Sequence, residues 1–290
     1  YIDKKGEIRI KKRLAFLTIF ASITLLLAAC GTADKETSGS STAKDSADTF
    51  TVGLEAGYAP FNWTQLDDSN GGVKIDGNAE YAGGYDVEIA KRIADGLGKE
   101  LVIVKTEWDG LVPSLQSDKI DAIIAGMSPT KERKETIDFS ENYYTSNFVM
   151  VVKKGGAFEG ATSIQDFSGA KITGQLNTSH YGVIDQIKDV QKQPASDNFS
   201  AMRVALESGV IDGYVSERPE GISASSANTN FAMVEFTDGF KAAEEDTAVA
   251  VGLKKDSKLT EDINKILAEI SEEERQEIMD AAINNQPAAE

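Results

Sequence analysis

The chain holds one cysteine, Cys30, and one histidine, His180. A lone cysteine excludes a disulfide framework and any Cys-based metal site within one chain. The lone imidazole has no second His and no nearby Cys, so it reads as a solvated helix residue rather than a metal ligand or base. Basic charge is also short. Against 47 Asp and Glu stand 30 Lys and Arg, a formal net charge of -17, and nucleic acid is therefore not an expected partner. Long apolar runs are scarce too, and the one at residues 14–27 is too short to span a bilayer.

That run has the length of a signal-peptide core. Lys11, Lys12 and Arg13 precede it, and it ends in Leu27-Ala28-Ala29-Cys30-Gly31. Small residues before a cysteine resemble the lipobox of bacterial lipoproteins. Residues 1–30 are thus expected to be a signal peptide whose cleavage leaves Cys30 as a lipid-bearing N-terminus, anchoring the protein outside the cell membrane. Residues 31–49 switch to Thr, Ser, Ala, Asp, Lys and Gly without an apolar period, as in a flexible, disordered tether. The rest is long enough for two lobes or one large domain.

The centre of what remains is residues 120–133. Ile120, Ala122, Ile123, Ile124 and Ala125 form the short apolar pattern of a strand covered on both faces in a parallel sheet. Gly126 ends it. Ser128 followed by Pro129 resembles a helix start, Ser as cap and Pro in the first helical position. A helix N-terminus at a strand's carboxyl end, with Arg133 nearby, favours a carboxylate or phosphate ligand. An ordinary turn with a solvated arginine stays open at this point.

The same arrangement recurs along the chain. A strand at 50–54 runs into Glu55 and Tyr58, and Tyr58 reads equally as a surface turn aromatic. Residues 67–80 are polar, a loop or hairpin. Asp76, Asn78 and Glu80 alternate like calcium ligands, but Tyr81 stands where an EF-hand loop needs Gly, so no metal is expected. Asp86 reads as the cap of a helix with Val87, Ile89, Ala90, Ile93, Ala94 and Leu97 on its core face, stopped by Gly98. A strand at 101–104 leads to Glu107-Trp108-Asp109, a second aromatic beside acids. Strands and helices alternate throughout, as in a parallel sheet. Later, a strand at 170–175 precedes Thr178 as a helix cap, and a strand at 211–215 precedes Glu217, which pairs equally well with Arg218 on a surface. The tail from 259 to 283 reads as amphipathic helix, with Ser271 opening its last part.

Several of these stretches together resemble the bacterial solute-binding proteins for polar amino acids that serve ABC importers. They are Gly84-Tyr85-Asp86-Val87-Glu88-Ile89, residues 108–115 from Trp108 to Leu115, Asp121-Ala122-Ile123, Thr130-Lys131-Glu132-Arg133 and Ile137-Asp138-Phe139-Ser140. The resemblance covers residues 50–267. It implies an α/β, two-lobed periplasmic-binding-protein-like fold with two hinge strands (type II), closing on one free amino acid. Residues 146–153 and 246–253 are the runs expected to cross between lobes. Lobe 1 would hold 50–145 and 242–290, and lobe 2 would hold 146–241. It further implies a carboxylate clamp of Arg133 with backbone N–H groups near Gly126, Ser128 and Thr178, and Glu217 on the ligand's α-ammonium. Tyr58 and Trp108 would sandwich the side chain. Glu55 lies close to where the family positions an acid in members that take basic amino acids, and an unpaired buried carboxylate prefers a ligand that brings positive charge. A cationic amino acid of the arginine, lysine or ornithine class is therefore expected, with a neutral polar one such as glutamine as the alternative. No cofactor is implied. The expected partners are an ABC permease and the membrane holding the lipid anchor, with the protein itself a monomer. An extracytoplasmic dehydratase on the same lobes is the enzymatic rival, with Glu55 or Glu217 as its general acid.

Overall fold

The computed structural model describes residues 48–287, so the expected leader, Cys30 and most of the tether lie outside the described residues. Two five-stranded sheets organise the rest. The first has the order Glu100–Lys105, Thr49–Leu54, Ala122–Ile123, Ala248–Leu253, Asp138–Thr145. The second runs Gln191–Lys192, Lys171–Thr173, Gly213–Glu217, Phe148–Lys153, Phe231–Val234. A smaller antiparallel sheet joins Gly57–Tyr58, Asn62–Gln65, Tyr81–Gly83 and Val73–Lys74, so part of the polar stretch after residue 67 is indeed a hairpin.

Neither large sheet is wholly parallel. Ala248–Leu253 runs against both its neighbours, and so does Phe148–Lys153. These are the strands that begin just after the chain has passed from one sheet to the other. The expected crossing runs are corrected accordingly. The first passage is the two residues Ser146 and Asn147, the second lies between Val234 and Ala248, and the apolar strands that follow each belong to one sheet only. The passages run side by side, with Thr145 paired to Ala248 and the Ser146 N–H donating to the Thr247 carbonyl at 3.0 Å. Ala248–Leu253 is buried along its whole length because other chain covers both faces, which accounts for the continuous apolar run.

Helix Tyr85–Gly96 buries Val87, Ile89, Ala90, Ile93 and Ala94, the face its spacing marks. Asp86 is not its cap. The capping position is Gly84, at φ 119° and ψ 179°, a backbone region open essentially to glycine alone. With the helix starting there, Asp86 points inward, fully buried, and accepts hydrogen bonds from Asn62 Nδ2 at 2.8 Å and the Tyr143 hydroxyl at 2.7 Å. The helix after Gly126 also starts later than expected. It spans Lys131–Thr136, and Thr130 caps it by accepting from the Arg133 N–H. Pro129 disfavours helical backbone at Ser128, whose hydroxyl instead donates to the Asp246 carbonyl at 3.2 Å. Ser271 caps Glu272–Asn285 as its sequence indicates.

A methyl group on Gly84 would lie 2.4 Å from the Phe61 carbonyl oxygen. Gly84→Ala is therefore expected to lower stability by about 1–3 kcal/mol, read as a fall in the urea midpoint. An unchanged midpoint would show that this turn relaxes freely.

Candidate functional site

The residues singled out by sequence emerge at the carboxyl ends of the parallel strands, where open α/β sheets hold ligands. Glu55 follows Thr49–Leu54 directly, and Tyr58 stands three residues on. Trp108 opens the helix Trp108–Gln116 after Glu100–Lys105, and Gly126 and Ser128 follow Ala122–Ile123. From the second sheet, Thr178 follows Lys171–Thr173, and Glu217 is the last residue of Gly213–Glu217.

The two groups meet. The Tyr58 hydroxyl donates a short hydrogen bond to Glu217 Oε1. Its ring stacks on Phe61 at 5.0 Å and on Phe199 of the facing lobe at 4.4 Å. Gln175 Nε2 donates to Glu55 Oε1 at 3.1 Å, while Glu55 Oε2 is buried without a partner. Arg133 lies over the Trp108 ring at 5.0 Å and donates to the carbonyls of Ser128 at 2.9 Å and Asn177 at 2.8 Å. Asn177 also reaches Asp109 Oδ1 at 2.8 Å. Glu217 does not pair with Arg218, which binds Glu235 at 2.8 Å instead. Trp108 thus carries the arginine, while Tyr58 is flanked by two phenylalanines.

Backbone geometry sets the floor of the site. Gly126 has φ 62°, and a methyl group there would meet the Tyr58 ring at 2.7 Å, so only glycine lets the strand end approach the aromatic. Its N–H donates to the Tyr143 hydroxyl at 3.3 Å, which in turn donates to Asp86. Thr178 occupies the N-terminal position of the short helix Ser179–Gly182, but its hydroxyl donates back to the Gln175 carbonyl at 2.7 Å and caps no helix N–H.

His180 is not solvated. It is 8% exposed, with Nε2 3.7 Å from Glu217 Oε1 and Phe148 and Phe199 edge-on to its ring. The short helix Ser179–Gly182 turns this side chain inward, so the expectation of a solvated imidazole is corrected. Gln175 and Phe199 also went unmarked. A usable signal for Phe199 lay in Asn198, which caps Phe199–Ser208 by accepting from the Ala201 N–H at 2.9 Å, repeating the strand-then-helix-start pattern.

Burial dominates the electrostatics. Loss of water raises Glu217 to about 8, against the opposing Tyr58 hydrogen bond and with further upward pushes from Asp86 and Glu220. Glu55 rises to about 7, chiefly by desolvation, opposed by Gln175 and pushed further by Glu107 and Asp109. Desolvation lowers Arg133 to about 10, and desolvation followed by the charge of Arg133 lowers His180 to about 3. His180 and Glu217 therefore meet as neutral groups at neutral pH. Among the described residues no cluster of three or more His, Cys, Asp or Glu is placed to hold a metal ion.

A raised carboxyl makes folding take up protons. Between 4.5, the ordinary value, and about 8, Glu217 is ionised in the unfolded chain and protonated in the folded one, so its contribution to stability falls as pH rises through that window. Glu217→Gln lacks this loss. Its stability relative to wild type should climb from pH 5 to pH 8 in urea titrations, and a difference independent of pH would contradict the shift.

Residues 50–284 match the family of bacterial extracellular solute-binding proteins, family 3. The arginine-binding extracellular protein ArtP of Bacillus subtilis is 30% identical over 275 residues, covering 90% of this chain and 93% of that protein. A probable histidine-binding protein of Campylobacter jejuni is 34% identical over 220 residues, 72% of this chain and 78% of the other. Among solved structures, an amino acid ABC transporter substrate-binding protein from Streptococcus pneumoniae bound to L-arginine superposes with a TM-score of 0.73 at 28% identity, covering 82% of this chain and 95% of that one. An ancestral arginine-binding protein bound to glutamine gives 0.66 at 32% identity, covering 80% and 96%. These relatives are substrate-binding proteins, not dehydratases, and their two-lobed architecture is the one described above. The chain belongs to the bacterial extracellular solute-binding proteins of family 3.

Proposed function

We propose that this protein captures an α-amino acid with a cationic side chain, of the arginine, lysine or ornithine class, outside the cell and delivers it to an ABC permease. The observation that carries the reading is Glu55. It is a buried carboxylate with one neutral amide for a partner and one oxygen with none, and a cationic side chain would supply the missing charge. The remaining roles follow from the charges of an amino acid. Arg133, over the Trp108 ring, takes the α-carboxylate with N–H groups near Gly126, Ser128 and Thr178, and Glu217 takes the α-ammonium. Tyr58, on the face that Phe199 of the other lobe now covers, and Trp108 would line the stem and head of the side chain. The ligand would replace contacts the lobes make with each other, Glu217 exchanging the Tyr58 hydroxyl for the ammonium. We take 50–145 with 242–290 as one lobe and 146–241 as the other. The protein is a monomer held to the membrane by a lipid on Cys30.

One observation favours a second reading. Gln175 already places a carboxamide N–H on Glu55, and a glutamine ligand would offer the same group.

Calorimetry with arginine, lysine, ornithine, histidine and glutamine separates the two. Binding of glutamine without arginine or lysine would remove the role given to Glu55, whereas Glu55→Gln weakening cationic ligands alone would sustain it. Arg133→Ala should cost about two to three and a half decades of affinity, the equivalent of stripping one partner from a buried ion pair, with the fold intact. Less than a fivefold loss would place Arg133 outside the site. Cys30→Ala should move the protein from the membrane fraction to the soluble one. Unchanged fractionation would rule out the lipid anchor.

A further inference from the structure

His180 is buried with both ring nitrogens unpartnered. Phe148, from strand Phe148–Lys153, and Phe199, from helix Phe199–Ser208, cover its ring edge-on and offer no hydrogen bond. Glu217 faces Nε2 from the end of its strand at 3.7 Å, beyond hydrogen-bonding distance, and its Oε1 already accepts from Tyr58. Arg133 acts on the ring as a nearby positive charge. Excluded water and a neighbouring cation keep the imidazole neutral, so one nitrogen is a free acceptor. A polar nitrogen buried in this way is costly unless something arrives to use it.

We propose that His180 is a second acceptor for the ligand's α-ammonium, standing beside Glu217. The inference rests on the amino acid reading above. An ammonium carries three donors, more than a single carboxylate oxygen with two lone pairs can take. Because Nε2 and Oε1 are 3.7 Å apart, a single nitrogen can lie about 2.9 Å from both. A neutral acceptor suits the position better than a second acid, since two carboxylates here would compete to hold a proton rather than share a cation. The pair rewards a primary α-amino group, and His180 thereby discriminates amino acids from otherwise identical acids that lack it.

The test compares L-arginine with its des-amino analogue, 5-guanidinopentanoate, titrated up to millimolar concentration. His180→Phe keeps a ring between Phe148 and Phe199 and should lose about ten- to a hundredfold in affinity for L-arginine, with affinity for the analogue unchanged. Equal losses for both ligands, or no loss for L-arginine, would overturn the proposal. A second readout uses the single imidazole of the chain. In wild type labelled with 15N-histidine, L-arginine should shift one ring nitrogen in the sense of an accepted hydrogen bond, and the analogue should not. If the analogue does not bind, this signal decides, and an unmoved imidazole overturns the assignment. Failure of wild type to bind L-arginine would instead sink the cationic reading. The same comparison would then be run on whichever of the twenty amino acids binds and its des-amino counterpart, and binding of none would overturn both.

Discussion

Two carboxyl groups, Glu55 and Glu217, are held away from water where the lobes meet, and much of the site is arranged around the cost of keeping them there. Removing a carboxylate from water is unfavourable unless a cation or several donors replace the solvent. Neither acid has that replacement. Glu217 has one tyrosine hydroxyl, and Glu55 has one amide. Both are consequently pushed toward their neutral forms, to about 8 and about 7. A ligand bringing two positive groups at a suitable separation would relieve both at once. The binding free energy of such a ligand would then include pairing with carboxyl groups the protein has already taken out of water, which favours a cationic amino acid.

The surroundings fix where those acids sit. Behind Tyr58, the line from Asn62 through Asp86 and Tyr143 to the Gly126 N–H ties helix Tyr85–Gly96 to the strand end that forms the floor. Behind Glu217, Glu220 is fully buried and accepts from Arg203 at 2.7 Å and from Tyr214 at 3.0 Å, locking helix Phe199–Ser208 to helix Arg218–Ala227. Phe199 and Glu217 stand at the starts of those two helices, so the pair is positioned as a unit. The first passage between the sheets is two residues long and the second is longer, and the two are hydrogen-bonded where Ser146 meets Thr247.

Much of this was readable in the residues. The apolar runs ending at Leu54, Ala125 and Val215 placed Glu55, Gly126 and Glu217 at strand ends, because a buried parallel strand has a clear apolar signature and ligand sites fall at its carboxyl end. The family stretches added the two-lobed architecture, which no local pattern encodes, since it depends on which strand pairs with which after a long return of the chain. What escaped reading was set by where helices begin and by side-chain direction. Asp86 looked like a cap because acids favour helix starts, yet Gly84 began the helix earlier and turned the carboxylate inward. His180 lay on a helix too short to show a face, and its burial comes from Phe148 and Phe199, distant in sequence. Phe199 and Gln175 reach the site from the facing lobe, and their roles exist only once the lobes meet.

On this reading the site holds neutral carboxyl groups that a cationic ligand would convert to carboxylates. Proton release on binding tests this most directly. Calorimetric titration of L-arginine at pH 7, repeated in buffers of different ionisation enthalpy, counts the protons exchanged. Release of about one proton or more per ligand is expected, because both acids are largely or partly protonated before binding and ionised after it. Binding with no net proton exchange, or with uptake, would contradict it.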